Sequence, residues 1–236
     1  MIKNILFDLD GTLLPMDQEK FTHSYFKRLA AKIAPLGYEP EKLVKGIWQA
    51  TYAVIKNNGS LTNEEMFWQQ FAVIFGERVL EDKPVFDEYY RVEFQDVKDD
   101  CGFNSAAAET VKKLKSAGYR IVLATNPIFP AVATESRIRW AGLETEDFEL
   151  YTTYENSHYC KPNPLYYREI LDKLDLNADE SLMVGNDVEE DMVAKELGMS
   201  VFLLKDCLIN KNEKDISAFP QGGFAELCEY IKKASL

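Results

Sequence analysis

The stretch Asn4-Ile5-Leu6-Phe7-Asp8-Leu9-Asp10-Gly11-Thr12-Leu13-Leu14 drives an apolar segment into two carboxylates and then a glycine. Ile5, Leu6 and Phe7 have no polar interruption, the pattern of a short strand buried on both faces. A buried parallel strand carries whatever follows it to the carboxyl edge of its sheet, where ligands bind in open α/β folds. Asp8 and Asp10 are expected at that edge, about 6–7 Å apart at strand spacing. Gly11 then permits a turn that a side chain would obstruct. Two acids that close repel unless a cation stands between them. A plain strand closed by an Asp-Gly turn has the same local look, so the partners must come from the remaining chain.

Composition narrows the function classes. With 236 residues, 46% of them hydrophobic, the chain can bury a real core and holds one large domain or a domain with an insertion. The net charge of −12 argues against a nucleic-acid or anionic-membrane partner, since both require a positive field. An anionic substrate would need local help from a cation. No apolar run approaches the roughly 20 residues of a membrane span, and Asp8 and Asp10 interrupt the place a signal-peptide core would occupy, so a cytoplasmic protein is expected. Cys101, Cys160, Cys207 and Cys228 are widely spaced and read as free thiols. Cys160 next to Lys161 is weak ground for a nucleophile, and His23 and His158 are the chain's two histidines.

Working outward, residues 15–102 read as helical. Phe21, Tyr25, Leu29 and Ile33 recur at helical spacing, and Leu43, Ile47, Thr51 and Val54 repeat it over 41–56. Thr62-x-x-Glu65 is a capping box for a third helix stopped by Gly76, and a fourth is expected over 84–97. This block is rich in aromatics, including Trp48, Tyr52, Trp68, Phe71 and Tyr90, expected mostly as helix-bundle core with a few left to select substrate. From Asn104 onward strands and helices alternate: helix to 117, strand 119–125, helix 130–140, a weaker strand 148–153, helix 164–174, strand 182–185, helix 188–197, strand 201–204 and helix 223–233. That alternation predicts a parallel sheet with helices on both faces.

Residues just after each strand are the candidates for chemistry. Thr125 and Asn126 offer a hydroxyl and an amide suited to phosphate oxygens, although such residues populate any loop. Pro127 removes one backbone donor and extends Asn126. Lys161 precedes Pro162 and Pro164; a lone lysine is usually a solvated surface charge. Leu182-Met183-Val184-Gly185-Asn186-Asp187-Val188-Glu189-Glu190-Asp191 runs a buried strand into glycine and acids. Asp187 and Asp191 fall one helical turn apart, while acids also favour a helix N-terminus for its dipole alone.

Taken together, these strings resemble the four motifs of the haloacid dehalogenase-like (HAD) phosphohydrolases, in order: Asp8-Leu9-Asp10-Gly11-Thr12, the strand ending at Thr125, Lys161-Pro162, and the acids after Gly185. The resemblance implies an α/β fold, a Rossmann-like doubly wound parallel sheet with an inserted all-helical cap, core residues 1–14 and 103–236, and cap 15–102. It implies a Mg2+-dependent phosphatase acting on a small-molecule phosphate ester, with Asp8 as nucleophile and Asp10 as general acid and base. Thr125 and Lys161 complete the catalytic set, and Thr125, Asn126 and Lys161 hold the phosphoryl group. The metal falls to Asp8, the backbone carbonyl of Asp10, and Asp187. The commoner motif has an acid directly after the glycine; here Asn186 takes that slot and Asp187 follows, as in related enzymes, with Asn186 and Asp191 in support. Asp10 also argues against the dehalogenase branch, which lacks an acid at the matching place. Lys161→Ala is expected to cost rate and binding more than stability. A phosphomutase using the same aspartate stays open, as does a catalytically silent protein that binds a phosphometabolite or a partner. Substrate and oligomeric state are not readable from the chain.

Overall fold

The computed structural model describes residues 1–234 and opens with β1 (Asn4–Phe7), every residue of which is buried. Five further strands follow: β2 (Arg120–Leu123), β3 (Leu150–Tyr151), β4 (Ser181–Gly185), β5 (Ser200–Leu204) and β6 (Gln221–Gly222). All pair in parallel in the order β3-β2-β1-β4-β5-β6, so β1 is central and the strand order reverses beside it. This is the doubly wound α/β sheet expected from the alternation of elements.

Register fixes the functional edge. Phe7 lies opposite Leu123 on one side and Val184 on the other, and Tyr151 is level with Leu123. The Asp8 amide donates to Val184 O at 2.9 Å, and the Ala124 amide to Phe7 O at 2.7 Å. Asp8, Thr125 and Asn186 therefore leave the sheet side by side.

The period-two alternation of β1 separates two apolar layers. Leu6 faces Tyr166 and Ile170 of α7 (Pro164–Leu174), with Val122 and Met183 beside it. Ile5 and Phe7 belong to a larger cluster that crosses from the sheet into the helical segment. That segment contains α1 (Gln18–Ile33), α2 (Pro40–Ile55), α3 (Asn63–Phe75) and α4 (Lys83–Arg91). Phe21, Tyr25, Leu29 and Ile33 form the buried stripe of α1, at the spacing the sequence predicts. Thr62 and Glu65 make the reciprocal capping box at the start of α3. Full burial of a side chain such as Phe71 contributes about 1.5–3 kcal/mol.

The chain enters and leaves this block at one place. Gly102 N donates to Pro15 O at 2.7 Å, and Met16 bridges Cys101. A second attachment is made by Asn63, whose fully buried amide donates to Pro127 O at 3.1 Å and Tyr159 O at 3.2 Å and contacts Cys160 Sγ at 3.4 Å. The remaining helices are α5 (Ser105–Ser116), α6 (Ala131–Trp140) and α8 (Phe224–Ala234). Two expected helices differ. The one predicted over 84–97 ends at Arg91, because Val92 takes φ −114°, ψ −79°, and Glu93–Asp100 winds more tightly as a 3₁₀ helix. The one predicted over 188–197 is a turn followed by a 3₁₀ helix, Met192–Leu197, for a reason that lies in the site itself. Of the aromatics, Trp68, Phe71, Phe86, Tyr89 and Phe94 are buried, whereas Trp48 and Tyr52 are 53% and 63% exposed.

Candidate active site

Asp8 follows β1 directly and is buried beside an equally buried ammonium: Lys161 Nζ lies 2.8 Å from Asp8 Oδ1 and 2.6 Å from Asp191 Oδ1. Burial opposes the lysine charge, but Asp191 and Asp8 outweigh it and hold the Lys161 pKa well above its usual value. Burial likewise raises Asp191 against the pull of Lys161. Lys161 is 1% exposed, which corrects the expectation that its loss would weigh mainly on rate. Removing it would leave two carboxylates buried without a cation, so stability must suffer as well.

The turn after β4 is built around the same carboxylate. Asp191 Oδ2 accepts the Asp187 amide at 2.9 Å, and Asp187 Oδ1 accepts the amides of Glu189 and Glu190 at 2.7 and 2.9 Å. Asp191 is thus turned inward to Lys161, and the chain bends where a regular helix would have pointed it along the surface. Gly185 makes room for it: a Cβ there would stand 2.0 Å from Asp191 Oδ2.

Asn186 fastens the two motif loops together. Its Oδ1 accepts Thr12 Oγ1 at 2.9 Å and its Nδ2 donates to Cys207 O at 2.6 Å. Gly11, at φ +85°, lies so close that a Cβ would come within 2.3 Å of the Asn186 amide. An acid in this slot could accept from Thr12 but could not donate to Cys207 O.

Asp10 is held from an unforeseen direction. Arg137, on α6 and fully buried, forms an ion pair with Asp10 Oδ2 and lies over the Phe129 ring at 4.6 Å. Its Nε and Nη2 also reach Ala133 O and Thr134 Oγ1 at 3.3 Å. Asp10 Oδ1 is buried with no hydrogen-bond partner. Burial raises the Asp10 pKa, Arg137 opposes that rise, and Asp8 adds to it. The sequence did carry one signal for Arg137: it shares the stripe of Ala133, Ile138 and Trp140, all of them buried, where a surface cation does not belong.

Thr125 is buried, and its carbonyl accepts Thr152 Oγ1 at 2.7 Å and Tyr166 Oη at 2.8 Å, which fixes the loop after β2. Asn126 Nδ2 donates to Glu190 Oε2 at 3.1 Å, while its Oδ1 is buried without a partner. Burial pushes Glu190 up to about 7, Lys161 opposes this, and Asp191, Asp187 and Asp8 add to it. Glu190 is a second site residue that sequence reasoning missed, having assigned it to the helix dipole. Cys160 is 1% exposed and burial drives its thiol pKa far up, so it is inert.

Asp8, Asp10, Thr125, Asn126, Asn186, Asp187, Glu190 and Asp191 line one cavity of about 390 Å³ that opens under the helical block. Among the described residues no three carboxylates converge as a ready metal cluster. Lys161 and Arg137 occupy Asp8 and Asp10, and Asp187 caps its own turn. The donors facing the cavity are nevertheless carboxylate and amide oxygens without thiolate or imidazole, a set that suits a hard cation such as Mg2+. The unpartnered Asp10 Oδ1 and Asn126 Oδ1 have acceptor capacity to spare. Among the described residues no helix is long and apolar enough to cross a membrane.

Residues 2–198 match the family model for haloacid dehalogenase-like hydrolases. The chain is 25% identical over 187 residues to the pyrophosphatase PpaX of Bacillus cereus (strain ATCC 10987 / NRS 248), covering 78% of this chain and 74% of that protein. Its fold is similar to 2-haloacid dehalogenase from Pseudomonas syringae pv. tomato DC3000, with TM-score 0.64, 20% identity and 99% of both chains covered. It is also similar to the Bacillus subtilis HAD-hydrolase YfnB bound to magnesium, with TM-score 0.56, 17% identity and 98% of both chains covered.

Proposed function

Because this chain belongs to the haloacid dehalogenase-like hydrolases, we propose that it is a phosphatase that cleaves a small phosphate monoester through an aspartyl-phosphate on Asp8. The observation that carries the proposal is the division of labour between two acids on one cavity: Asp8 is held by Lys161, while Asp10 is held by Arg137 through one oxygen and keeps the other unpartnered. Residues 15–102 act in this reading as the cap over the site, with 1–14 and 103–236 as the core.

In the first step an Asp8 oxygen bonds to phosphorus and the ester P–O bond breaks. The raised proton affinity of Asp10 suits it to give its proton to the departing oxygen, from Oδ1, while Arg137 keeps Oδ2 in place. In the second step the Asp10 carboxylate takes a proton from water as that water attacks phosphorus. Phosphate leaves, Asp8 is restored and Asp10 is again protonated. Lys161 orients Asp8 from behind, and its positive charge would offset that of the incoming phosphoryl group. Thr125 and Asn126 lie where the phosphoryl oxygens would be held. Asp8, the Asp10 carbonyl and Asp187 would hold Mg2+, which when bound supplies positive charge against the phosphoryl oxygens. An acid at Asp10 favours the phosphatase over the dehalogenase reading.

The test is direct. Purified protein with Mg2+ and a panel of phosphorylated metabolites is expected to release phosphate steadily, and acid quenching is expected to trap a phosphoenzyme that hydroxylamine or alkali then cleaves. Absence of both would leave only a binding role, and transfer of phosphate between sugars without release would indicate a mutase.

A further inference from the structure

The wall of the cavity opposite the acids is aromatic and almost without positive charge. Tyr25, Phe26, Trp48, Phe67, Tyr90 and Phe129 face it from the helical block and the loop before α6. The hydroxyls of Tyr25 and Tyr90 bond each other at 2.8 Å, which uses one of their two O–H donors. Tyr154 Oη, on the same wall, accepts Trp68 Nε1 at 3.4 Å. The block contributes one charged group to the lining, the carboxylate of Asp87. Among the described residues the one cation lining the cavity is Lys211, from the loop between β5 and β6. Lys161 is committed to Asp8 and Asp191, and Arg137 to Asp10.

We infer that the substrate is a monoester of a single phosphate whose leaving alcohol carries an apolar ring and no second anionic group. The inference rests on the phosphatase reading and specifies it. A second phosphate or a carboxylate on the leaving group would be desolvated against rings and set beside Asp87, with Lys211 alone to offset it, a placement that costs more than it returns. A ring, by contrast, finds edge and face contacts already arranged: Tyr25 and Phe129 stand edge to face at 5.6 Å, and Phe26 and Trp48 lie 5.5 Å apart. At about 390 Å³ the space is near the lower end of ligand pockets, room for one ring system beside the phosphate. Trp48, half exposed at the rim, would be covered by the bound ring. Likeness at 25% identity to a pyrophosphatase thus does not extend to its substrate.

Two alkyl esters with leaving alcohols of similar acidity isolate the effect: 2-phenylethyl phosphate and ethyl phosphate, run beside pyrophosphate and phosphoglycolate with Mg2+. The 2-phenylethyl ester is expected to have kcat/KM higher than ethyl phosphate by about tenfold or more, and higher than both substrates that carry a second anionic group. Trp48→Ala is expected to shrink the ratio between the two alkyl esters. Equal rates for the alkyl esters, or preference for pyrophosphate or phosphoglycolate, would overturn the substrate class while leaving a phosphatase. No phosphate from any of the four, or from the wider panel, would remove the phosphatase reading itself.

Discussion

The floor and the roof of the cavity are built on opposite principles. On the floor most of the acids have a named counterpart: Asp8 and Asp191 share Lys161, Asp10 has Arg137, and Asp187 caps the turn that follows it. On the roof, rings meet at 5–6 Å in edge-to-face pairs such as Trp68 with Phe86 at 5.5 Å, and hydroxyls turn toward each other. A floor of this kind tolerates no exchange, because each group is defined by the next. A roof of this kind can be rebuilt with other rings, which is how one chemistry comes to serve different substrates.

The contrast can be broken most sharply at Asp8. Asp8→Asn keeps the shape and removes the proposed nucleophile, so turnover is expected to vanish while circular dichroism and melting stay close to the parent; appreciable phosphate release from this variant would refute the assignment. Lys161→Ala is next, with a loss of about a hundredfold or more in kcat/KM and, from two uncompensated buried carboxylates, about 3–5 kcal/mol of stability by denaturant titration. Arg137→Met strips Asp10 of its cation. Because Arg137 lowers the proton affinity of Asp10, its loss is expected to cost about tenfold or more in kcat and to move the alkaline limb of the pH–rate profile upward. An unmoved limb would confine Arg137 to a packing role.

Glu190 gives the smallest effect and the one with a pH signature. Its folded pKa of about 7 lies above the ordinary glutamate value, so the folded state binds a proton that the unfolded chain has released. The cost to stability is absent below the unfolded pKa, grows as pH rises toward 7, and is complete above it. Glu190→Gln is therefore expected to melt like the parent near pH 4 and to gain about 1–3 kcal/mol by pH 8 in Mg2+-free buffer. A constant difference across that range would contradict the burial of this carboxylate.

Much of the floor is legible in the chain because it is local. Asp8 and Asp10 follow an unbroken apolar run, and Asp187 follows Gly185; sequence neighbours become spatial neighbours once strands end level. Lys161 was found through its prolines and its place in the motif order, although not its burial. Arg137 escaped because its partner is 127 residues away, and a single cation on a helix carries no label. The turn at 188–191 escaped for a related reason: helical spacing describes the sequence well, but the pull of Lys161 on Asp191 comes from another loop and overrides it. Trp48 and Tyr52 share helical spacing with buried neighbours and are still more than half exposed, since periodicity assigns a stripe and not the edge at which the stripe stops.

The apolar cluster that passes from Ile5 and Phe7 through Phe21 and Tyr25 to Phe71 has a thermodynamic meaning. Roof and floor are therefore expected to melt together, with the tryptophans of the helical block, Trp48 and Trp68, losing their native signal in one transition with Trp140, which meets Phe94 at 5.0 Å. Stability contributed by rings on the roof would thereby also hold the crowded acids of the floor in place.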